Sequence, residues 1–246
     1  MSAATWAWTS CWGVSVVAEG EFRLRIAYGK VGRLRWLSHL EVIHSLERAL
    51  RRAGLEYAVT RGFSPHMKVA FGPALPVGTA GEREYLDIWL GRYIDAREAL
   101  ARLIAATAPD LAPFGARYVD GKEPSLTAAI TIAKYVTFVN AEGTSAIDVR
   151  AAVEGIVGTG QLVVEHKGKK KVFDLARCLA EEASVTEREG GSEVALTVRL
   201  GPEGSLRPER LIREALDVAS LPEAVLQTTR TDTLIEREEG VWTRPV

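Results

Sequence analysis

Cysteine is scarce in this chain of 246 residues, which contains only Cys11 and Cys178. Two cysteines so far apart form neither a CxxC pair nor a disulfide scaffold. Protein-held iron–sulfur clusters need about four cysteine ligands, so we expect no such cluster. We also expect no metal site and no bound cofactor. With so few cysteines, we expect the protein to occupy the reducing cytoplasm.

Long apolar runs and an excess of charge of either sign are also missing. No apolar stretch reaches the roughly 18 residues of a membrane-spanning helix, so we expect no membrane partner. The 31 basic and 32 acidic residues nearly cancel, so any affinity for nucleic acid must come from a local cluster of cations. A hydrophobic content of 47% is sufficient for one large domain or two small ones.

The first twenty residues differ in composition from the rest of the chain. They contain Trp6, Trp8 and Trp12, and no basic residue precedes their apolar part. A signal peptide begins with positive charge, so this segment does not have that pattern. We expect residues 1–20 to be a disordered tail or the product of a misassigned translation start. The alternative is a short segment that docks on the protein or on a partner.

Residues 21–122 have the pattern of a β-α-β-β-α-β unit. Phe22–Tyr28 alternates in period two and predicts a half-buried strand. Ser38 and Glu41 have the spacing of a capping box, which predicts a helix from there to about Ala53. Further strands are predicted at 55–60, 68–72, 84–90 and 114–119, and a second helix from Asp95 to just before Pro109.

Residues 130–246 follow a similar order after a linker near 121–129. The elements predicted there are strands at 132–139, 161–166 and 224–235, a hairpin at 186–200, and helices at 145–157, 174–182 and within 203–218. We therefore predict an α+β fold of two tandem ferredoxin-like (βαββαβ) halves with mostly antiparallel sheets. This prediction rests on element order, because no close sequence repeat relates the two halves.

The first predicted helix carries a stripe of cations. His44, Arg48, Arg51 and Arg52 fall within about 100° of its circumference, with the apolar side chains on the other side. One interpretation is a solvated helix face. The other is a surface for phosphate groups, because the arginine fork matches planar oxyanions.

A loop rich in Gly and Pro, residues 61–68, combines Arg61, Phe63, His66 and Lys68. Gly and Pro fix the backbone of such a loop while its side chains point outward. Cations interleaved with aromatic rings suit stacking on unpaired bases together with phosphate neutralisation. Two alternatives remain open: a loop whose phenylalanines fill the core, and acid–base chemistry of the histidine on a ribose phosphate.

The densest run of charge is His-Lys-Gly-Lys-Lys-Lys at 166–171. Its lysines either keep a hairpin tip soluble or form a flexible basic finger on the backbone of RNA or DNA. The candidate nucleic-acid contacts in this run are Lys167, Lys169, Lys170 and Lys171.

No catalytic motif accompanies these cations. The sequence has no phosphate-binding loop ending in Lys-Ser/Thr, no GxGxxG, no HExxH and no GxSxG. Glu84 and Asp87 lie three apart on a predicted strand and should face opposite sides, which does not suit a carboxylate pair. His39 projects to the apolar side of its helix, where a core or capping role competes with a catalytic one. The catalytic residues of an enzyme therefore stay unassigned.

Five segments carry a family pattern: Leu37–Glu41, Glu47–Gly54, Arg61–Lys68, Phe71–Gly78 and Glu84–Asp87. They resemble the uncharacterised radical SAM-linked protein family, and the resemblance extends over about 22–235. Members are encoded beside, or fused behind, cobalamin-binding radical SAM proteins, often near genes for ribonuclease G and ribosomal proteins. Because this chain lacks the CxxxCxxC triad of a radical SAM cluster, the resemblance implies a free-standing partner of such an enzyme.

The chain departs from that family pattern at three positions. Glu41 stands where the family has Asp, Ser64 where it has Asn, and Met67 where it has Pro, so the loop here is less rigid. Paired ferredoxin-like units with a basic helix are also similar in architecture to CRISPR RNA-processing proteins of the repeat-associated group. Some of those proteins cleave RNA without metal, but fold similarity alone does not specify function.

Three functions are compatible with these observations. The first is an RNA-binding accessory protein that presents tRNA or rRNA to a radical SAM enzyme for modification or processing. The second is a metal-independent ribonuclease or RNA-modifying enzyme that uses His39, His44 or His66. The third is an interaction module for the radical SAM protein that does not contact RNA. We favour the first, and the other two remain open.

Overall fold

The computed structural model describes residues 21–166, 169–201 and 205–246. The tail predicted at 1–20 and the candidate contact Lys167 lie outside the described residues. The strands are β1 (Phe22–Lys30), β2 (Val69–Phe71), β3 (Ala80–Leu90), β4 (Pro113–Tyr118), β5 (Ile132–Asn140), β6 (Gln161–His166), β7 (Lys169–Asp174), β8 (Ser184–Arg188), β9 (Gly191–Arg199), β10 (Val225–Glu238) and β11 (Val241–Thr243). The helices are α1 (His39–Arg52), α2 (Ala96–Ala106), α3 (Leu126–Ala129), α4 (Ala146–Gly158), α5 (Leu175–Cys178) and α6 (Pro208–Val218).

The strands form one large, mostly antiparallel sheet and a separate hairpin of β6 with β7. In the first half the order across the sheet is β4, β1, β3 and β2, and in the second half it is β10, β5, β9 and β8. All neighbours within each half are antiparallel. A short parallel pairing, with Thr229 opposite Ala80 and Arg230 opposite Gly81, joins β10 to β3. The predicted α+β class with mostly antiparallel strands is confirmed.

Each half packs its strands against helices to form a separate core. Leu24, Ile26 and Ile88 pack with the apolar side of α1 in the first half, because alternate strand residues face the same side. Tyr135 and Leu196 pack with the apolar sides of α4 and α6 in the second half. None of the helices within the described ranges is long and apolar enough to cross a membrane.

Capping residues define the start of the first helix in each half. Ser38 and Glu41 form the predicted capping box at α1, with each side chain bonded to the other residue's backbone N–H. Ser145 and Asp148 form the same arrangement at α4. Such caps satisfy backbone donors that the first helical turn leaves without partners.

The linker covers the other face of the first half. Arg23 and Arg25 both donate to the buried carboxylate of Asp87, at 2.6 to 3.1 Å. Arg23 also donates to the backbone carbonyls of Glu123 and Pro124, at 2.6 and 2.9 Å. These bonds fix the segment that follows β4 against the sheet, where burial makes each unsatisfied charge costly.

Two predicted elements are wrong in extent. Residues 55–60 do not form a continuous strand, because Tyr57 pairs with Leu90 whereas Val59 pairs with Met67 in a local hairpin. The helix predicted at 174–182 is the four-residue α5. It ends because the chain then pairs with β9, where the Ala180 N–H donates to the Thr197 carbonyl at 2.8 Å.

Candidate functional site

The cations predicted on α1 form an exposed outer face. His44, Arg48, Arg51 and Arg52 are all exposed, while the opposite side of the helix is buried in the first core. Arg52 donates from Nε and Nη2 to the backbone carbonyl of Ala106 at the end of α2, at 3.2 and 2.6 Å. Because it is the outer side of a single helix, this face is convex. One of its three guanidinium groups, that of Arg52, is bonded to the end of a neighbouring helix.

The predicted Gly/Pro loop is the tip of the local hairpin. The Thr60 N–H donates to the His66 carbonyl at 2.8 Å, which closes the turn. Arg61, Phe63 and His66 are exposed at this tip, and the phenylalanine side chain is fully exposed. The interpretation in which Phe63 fills the core is therefore wrong, whereas Phe71 does pack against the first core.

Lys68 lies apart from the other loop candidates. Its ammonium group forms an ion pair with Glu21 and lies 5.0 Å from the ring centroid of Trp89. The guanidinium of Arg23 lies over the same ring at 5.3 Å. Because Trp89 and Arg23 face away from α1, the sheet separates Lys68 from the α1 cations.

The lysine run forms the end of the β6–β7 hairpin. Lys169 pairs opposite His166, Lys170 opposite Glu165 and Lys171 opposite Val164. The side chains of Lys170 and Lys171 are exposed and point to opposite sides of the ribbon, as neighbours on a strand must. Lys171 is the one of this pair that lines a cavity between the two halves.

A groove between the halves contains cations that the sequence analysis missed. Its volume is about 680 Å³, and its walls come from residues 35–36, the loop 76–79, α6 with the residue before it, and the start of β10. Among the described residues, four arginines and one carboxylate, that of Glu209, line it, and the carboxylate of Glu223 lies 4.0 Å from Arg213. We call this surface the arginine groove and define it by Arg35, Trp36, Arg207, Arg210 and Arg213.

Trp36 forms an exposed aromatic wall of the arginine groove, with 66% of its surface accessible. Gly78 adopts φ 88°, and a Cβ at this position would lie 3.0 Å from the indole, so glycine allows the loop to lie against the ring. Arg35 donates from Nε to the Gly78 carbonyl at 2.7 Å, and its guanidinium lies 5.8 Å from the ring centroid. The indole is thus held beside a cation.

One signal in the sequence could have indicated this groove. Arg207, Arg210 and Arg213 recur every third residue, which places them on one side of α6. Arg35 and Trp36 gave no comparable signal, because they reach the groove only through the pairing of the two halves.

A buried ion pair joins the halves beneath the groove. Arg230 of β10 donates from Nε to Glu84 of β3 at 2.8 Å, and from Nη2 to the Pro73 carbonyl at 2.7 Å. Both charged side chains are almost completely buried. Glu84 and Asp87 therefore face opposite sides of β3, as predicted, and each has its own arginine partner.

Lys30 lies close to this ion pair and is almost completely buried. Its ammonium group is 3.5 Å from the Pro76 carbonyl, and burial lowers its pKa. Burial also lowers the pKa of His39, whose ring lies perpendicular to that of Phe71 with the two centroids 5.7 Å apart. Both groups are therefore biased towards the uncharged form, relative to the same groups in water.

The three histidines considered for catalysis lie at three separate places on the surface of the first half. His39 begins α1 at the half-buried side, His44 lies on the outer face of α1, and His66 lies at the hairpin tip. In the described part of the chain, no group of three or more His, Cys, Asp or Glu side chains is arranged to hold a metal ion.

Comparison with solved structures finds chains with distant similarity. A chain of a Cbf5-Nop10-Gar1 complex matches 85% of this chain at 13% identity and a TM-score of 0.47, and this chain spans 48% of its length. An unknown protein from Galdieria sulphuraria matches 85% of this chain at 12% identity and a TM-score of 0.27, over 99% of its own length. These scores are too low to carry a functional argument.

A comparison with curated proteins finds no match. A family match, in contrast, covers residues 23–208, which is most of the chain; it includes α1 and the hairpin tip and ends at Pro208, the first residue of α6. The chain belongs to the family described as an uncharacterized protein conserved in bacteria (DUF2344).

Proposed function

We propose that this protein binds structured RNA, tRNA or rRNA, with the arginine groove as its main contact surface. The observation that carries the proposal is the concentration of four arginines and an exposed tryptophan in one groove of about 680 Å³, where Glu209 is the one carboxylate among the described lining residues. The net charge of the chain is only −1, so this local cluster supplies attraction that the protein as a whole does not.

Both kinds of side chain in the groove suit RNA. Arginine makes paired hydrogen bonds to phosphate oxygens, and these contacts position a nucleic acid without reading its sequence. An exposed indole stacks on unpaired bases, which protein side chains reach in loops, bulges and single-stranded ends. Glu209 contributes one negative charge against the four arginines that line the groove, and its carboxylate accepts a hydrogen bond from Thr79 at 3.2 Å.

We infer that each half is a ferredoxin-like unit. In both halves the sheet places the last strand beside the first, then the third, then the second. The second half reaches this order when β6, β7 and α5 are treated as an insertion after α4. On this interpretation, the groove lies where two similar units meet, and the lysine hairpin is an addition beside that joint.

We further propose that the protein presents the bound RNA to a radical SAM enzyme. This part rests on the family resemblance of segments such as Arg61–Lys68 and Phe71–Gly78. The α1 face and the exposed hairpin tip remain available for further RNA contacts or for that enzyme. Co-purification of the two proteins after nuclease treatment tests the partnership, and their separation at moderate salt in every preparation would contradict it.

Binding of the purified protein to labelled bulk tRNA, at low and moderate salt, tests RNA binding itself. We expect saturable binding that weakens with salt and that duplex DNA competes for poorly. An Arg210→Ala/Arg213→Ala variant should bind more weakly, whereas the matched variant Arg97→Ala/Arg102→Ala on α2 should behave like wild type. No binding at low salt would contradict the proposal and favour the interaction module without RNA contact.

A further inference from the structure

The floor of the arginine groove is an open strand edge. Residues 225–228 of β10 line the groove and pair on one side with residues 137–140 of β5. On the other side, pairing with β3 begins only at Thr229, opposite Ala80, and no hydrogen bond from the described part of the first half reaches 225–228. Alternate residues of an antiparallel strand direct their N–H and C=O groups away from the partner, so backbone donors and acceptors face the groove.

The loop 76–79 leaves this edge open because it is bonded elsewhere. The Gly78 N–H donates to the Arg35 carbonyl at 2.9 Å, and the Gly78 carbonyl accepts from Arg35 Nε at 2.7 Å. The Thr79 hydroxyl donates to Glu209 at 3.2 Å. The loop therefore forms a wall of the groove and does not extend β3 along β10.

The two walls above this floor differ in chemistry. On the side of the first half, Trp36 and Val77 are 66% and 58% exposed, and Val225 at the floor is 63% exposed. On the side of α6, Arg207 and Arg210 are exposed and form no ion pair within the described residues. One wall thus suits the faces of bases, and the other suits phosphate groups.

The other two arginines of the groove are partly engaged within the protein. The guanidinium of Arg35 is bonded to the Gly78 carbonyl, and that of Arg213 has the Glu223 carboxylate at 4.0 Å. The cations that a ligand meets without such partners therefore lie at one end of α6, opposite the apolar wall.

We propose that the arginine groove selects an unpaired RNA strand, whose base edges bond to the open edge of β10. This inference rests on the proposed function and specifies which part of an RNA enters the groove. The phosphates lie towards Arg207 and Arg210, and the bases lie against Trp36 and the two valines. In a duplex the base edges are bonded to the complementary strand, so they are not free to bond to β10. The groove therefore discriminates by pairing state, which phosphate contacts alone do not.

An extended peptide is the other ligand that an open strand edge accepts. The open segment is four residues long, shorter than the typical strand of about 5 to 6 residues. The exposed arginines and the indole beside it provide contacts for phosphates and bases. These features favour RNA, and a peptide probe distinguishes the two ligands.

Fluorescence anisotropy of the whole protein with a labelled, unstructured RNA strand of about 12 nucleotides tests this proposal. The competitors are the unlabelled strand, a duplex of the same sequence, bulk tRNA, and a peptide of alternating valine and glutamate. We expect the duplex to compete at least about tenfold more weakly than the unlabelled strand, because it offers no free base edge or face. We expect tRNA to compete and the peptide to have no effect.

A variant of the apolar wall tests where the strand lies. Val77→Ala/Val225→Ala removes apolar contact but no charge, and it should weaken binding of the single strand by about fivefold while binding of the duplex stays unchanged. Val218→Ala/Val241→Ala is the matched control, because both valines are exposed and neither lines the groove.

The outcomes separate this inference from the proposed function. Equal competition by the single strand and the duplex, with tRNA bound, would overturn strand selection and leave the groove as a phosphate-binding surface. Equal losses in the two valine variants would also overturn it, because the strand would then lie elsewhere. Displacement of the strand by the peptide would assign the open edge to a partner protein. Absence of binding of both tRNA and the single strand at low salt would overturn the proposed function itself.

Discussion

The outer face of α1 and the arginine groove are both rich in arginine, but they differ in shape and origin. The α1 face is convex, it lies within one helix, and its Arg52 is bonded to the end of α2. The groove is concave, it needs both halves, and it holds Trp36 beside its arginines. A concave surface with cations on several sides concentrates their potential, whereas a convex face lets solvent and salt screen each charge.

The groove therefore depends on the joint between the halves, and the α1 face does not. Arg230 and Glu84 form that joint under the loop 73–79 and tie it to β10. This difference predicts that the two surfaces respond differently to substitutions at the joint and to substitutions of their own cations.

The largest effect should follow from breaking the joint. Arg230→Met leaves the Glu84 carboxylate buried without its partner, and we expect a loss of about 3 to 5 kcal/mol in the free energy of unfolding. Arg199→Met is the control, because its ion pair with Glu236 is partly exposed and should cost about 1 kcal/mol or less. Urea unfolding measures both variants, and equal losses would contradict a special role of the joint.

The second-largest effect should follow from removing the cations of the arginine groove, in comparison with removing those of the α1 face. Arg207→Ala/Arg210→Ala/Arg213→Ala should reduce affinity for labelled tRNA by about 100-fold, because three charged contacts are lost from one enclosed site. It should also reduce the slope of log affinity against log salt by about 0.7 per lost contact. Arg48→Ala/Arg51→Ala/Arg52→Ala should cost less than about tenfold. A larger loss of affinity in the α1 variant than in the groove variant would indicate that RNA binds to the α1 face and not to the groove.

A smaller effect compares the two exposed aromatic side chains. Trp36→Leu should weaken tRNA binding by about tenfold, which corresponds to one lost stacking contact. Phe63→Leu at the hairpin tip should weaken it by about threefold or less, because fewer cations surround that ring. Both side chains are exposed, so thermal unfolding should show little change in either variant. A larger loss for Phe63→Leu would assign base contact to the hairpin.

The smallest effect concerns the two histidines of α1. Burial lowers the pKa of His39 below its ordinary value of 6.5, with Lys30 and Arg230 adding to the shift and Glu84 opposing it. Its contribution to stability is therefore present above about pH 6.5 and is lost as the pH falls through the lowered pKa. We expect His39→Gln to lose less stability between pH 7.5 and 5.0 than wild type, by under about 1 kcal/mol, in urea unfolding. An unchanged pH dependence in His39→Gln, or an equal change in the control His44→Gln, would contradict this assignment.

Local sequence patterns predicted the elements of the fold well. The period-two alternation of β1 and the capping box of α1 depend on neighbouring residues, so both elements could be predicted from the local sequence. The prediction that β1 is half-buried was wrong, because Arg23 and Arg25 on its polar face are buried with Asp87 under the linker. The strand predicted at 55–60 failed because its partners come from two places, Leu90 and Met67, and no local pattern encodes that choice.

The residues of the candidate site also differ in whether local sequence patterns could predict their positions. The α1 cations lie on one helical face, so their spacing was sufficient to predict an exposed stripe. Phe63 and Lys68 shared a loop in the sequence, but strand pairing placed one at a tip and the other over Trp89. The arginine groove could not be predicted from the sequence. Arg35 and Arg213 belong to different halves, and they line one groove only because β3 pairs with β10.

Ultraviolet cross-linking of the wild-type protein to bulk tRNA, followed by mass spectrometry of the modified peptides, tests the central claim most directly. It needs no substitution, so a loss of folding cannot affect the answer. The account predicts cross-links at Trp36 and within 207–213, which diminish as salt is raised. Cross-links confined to the outer face of α1 and the hairpin tip, with none in the groove, would contradict it.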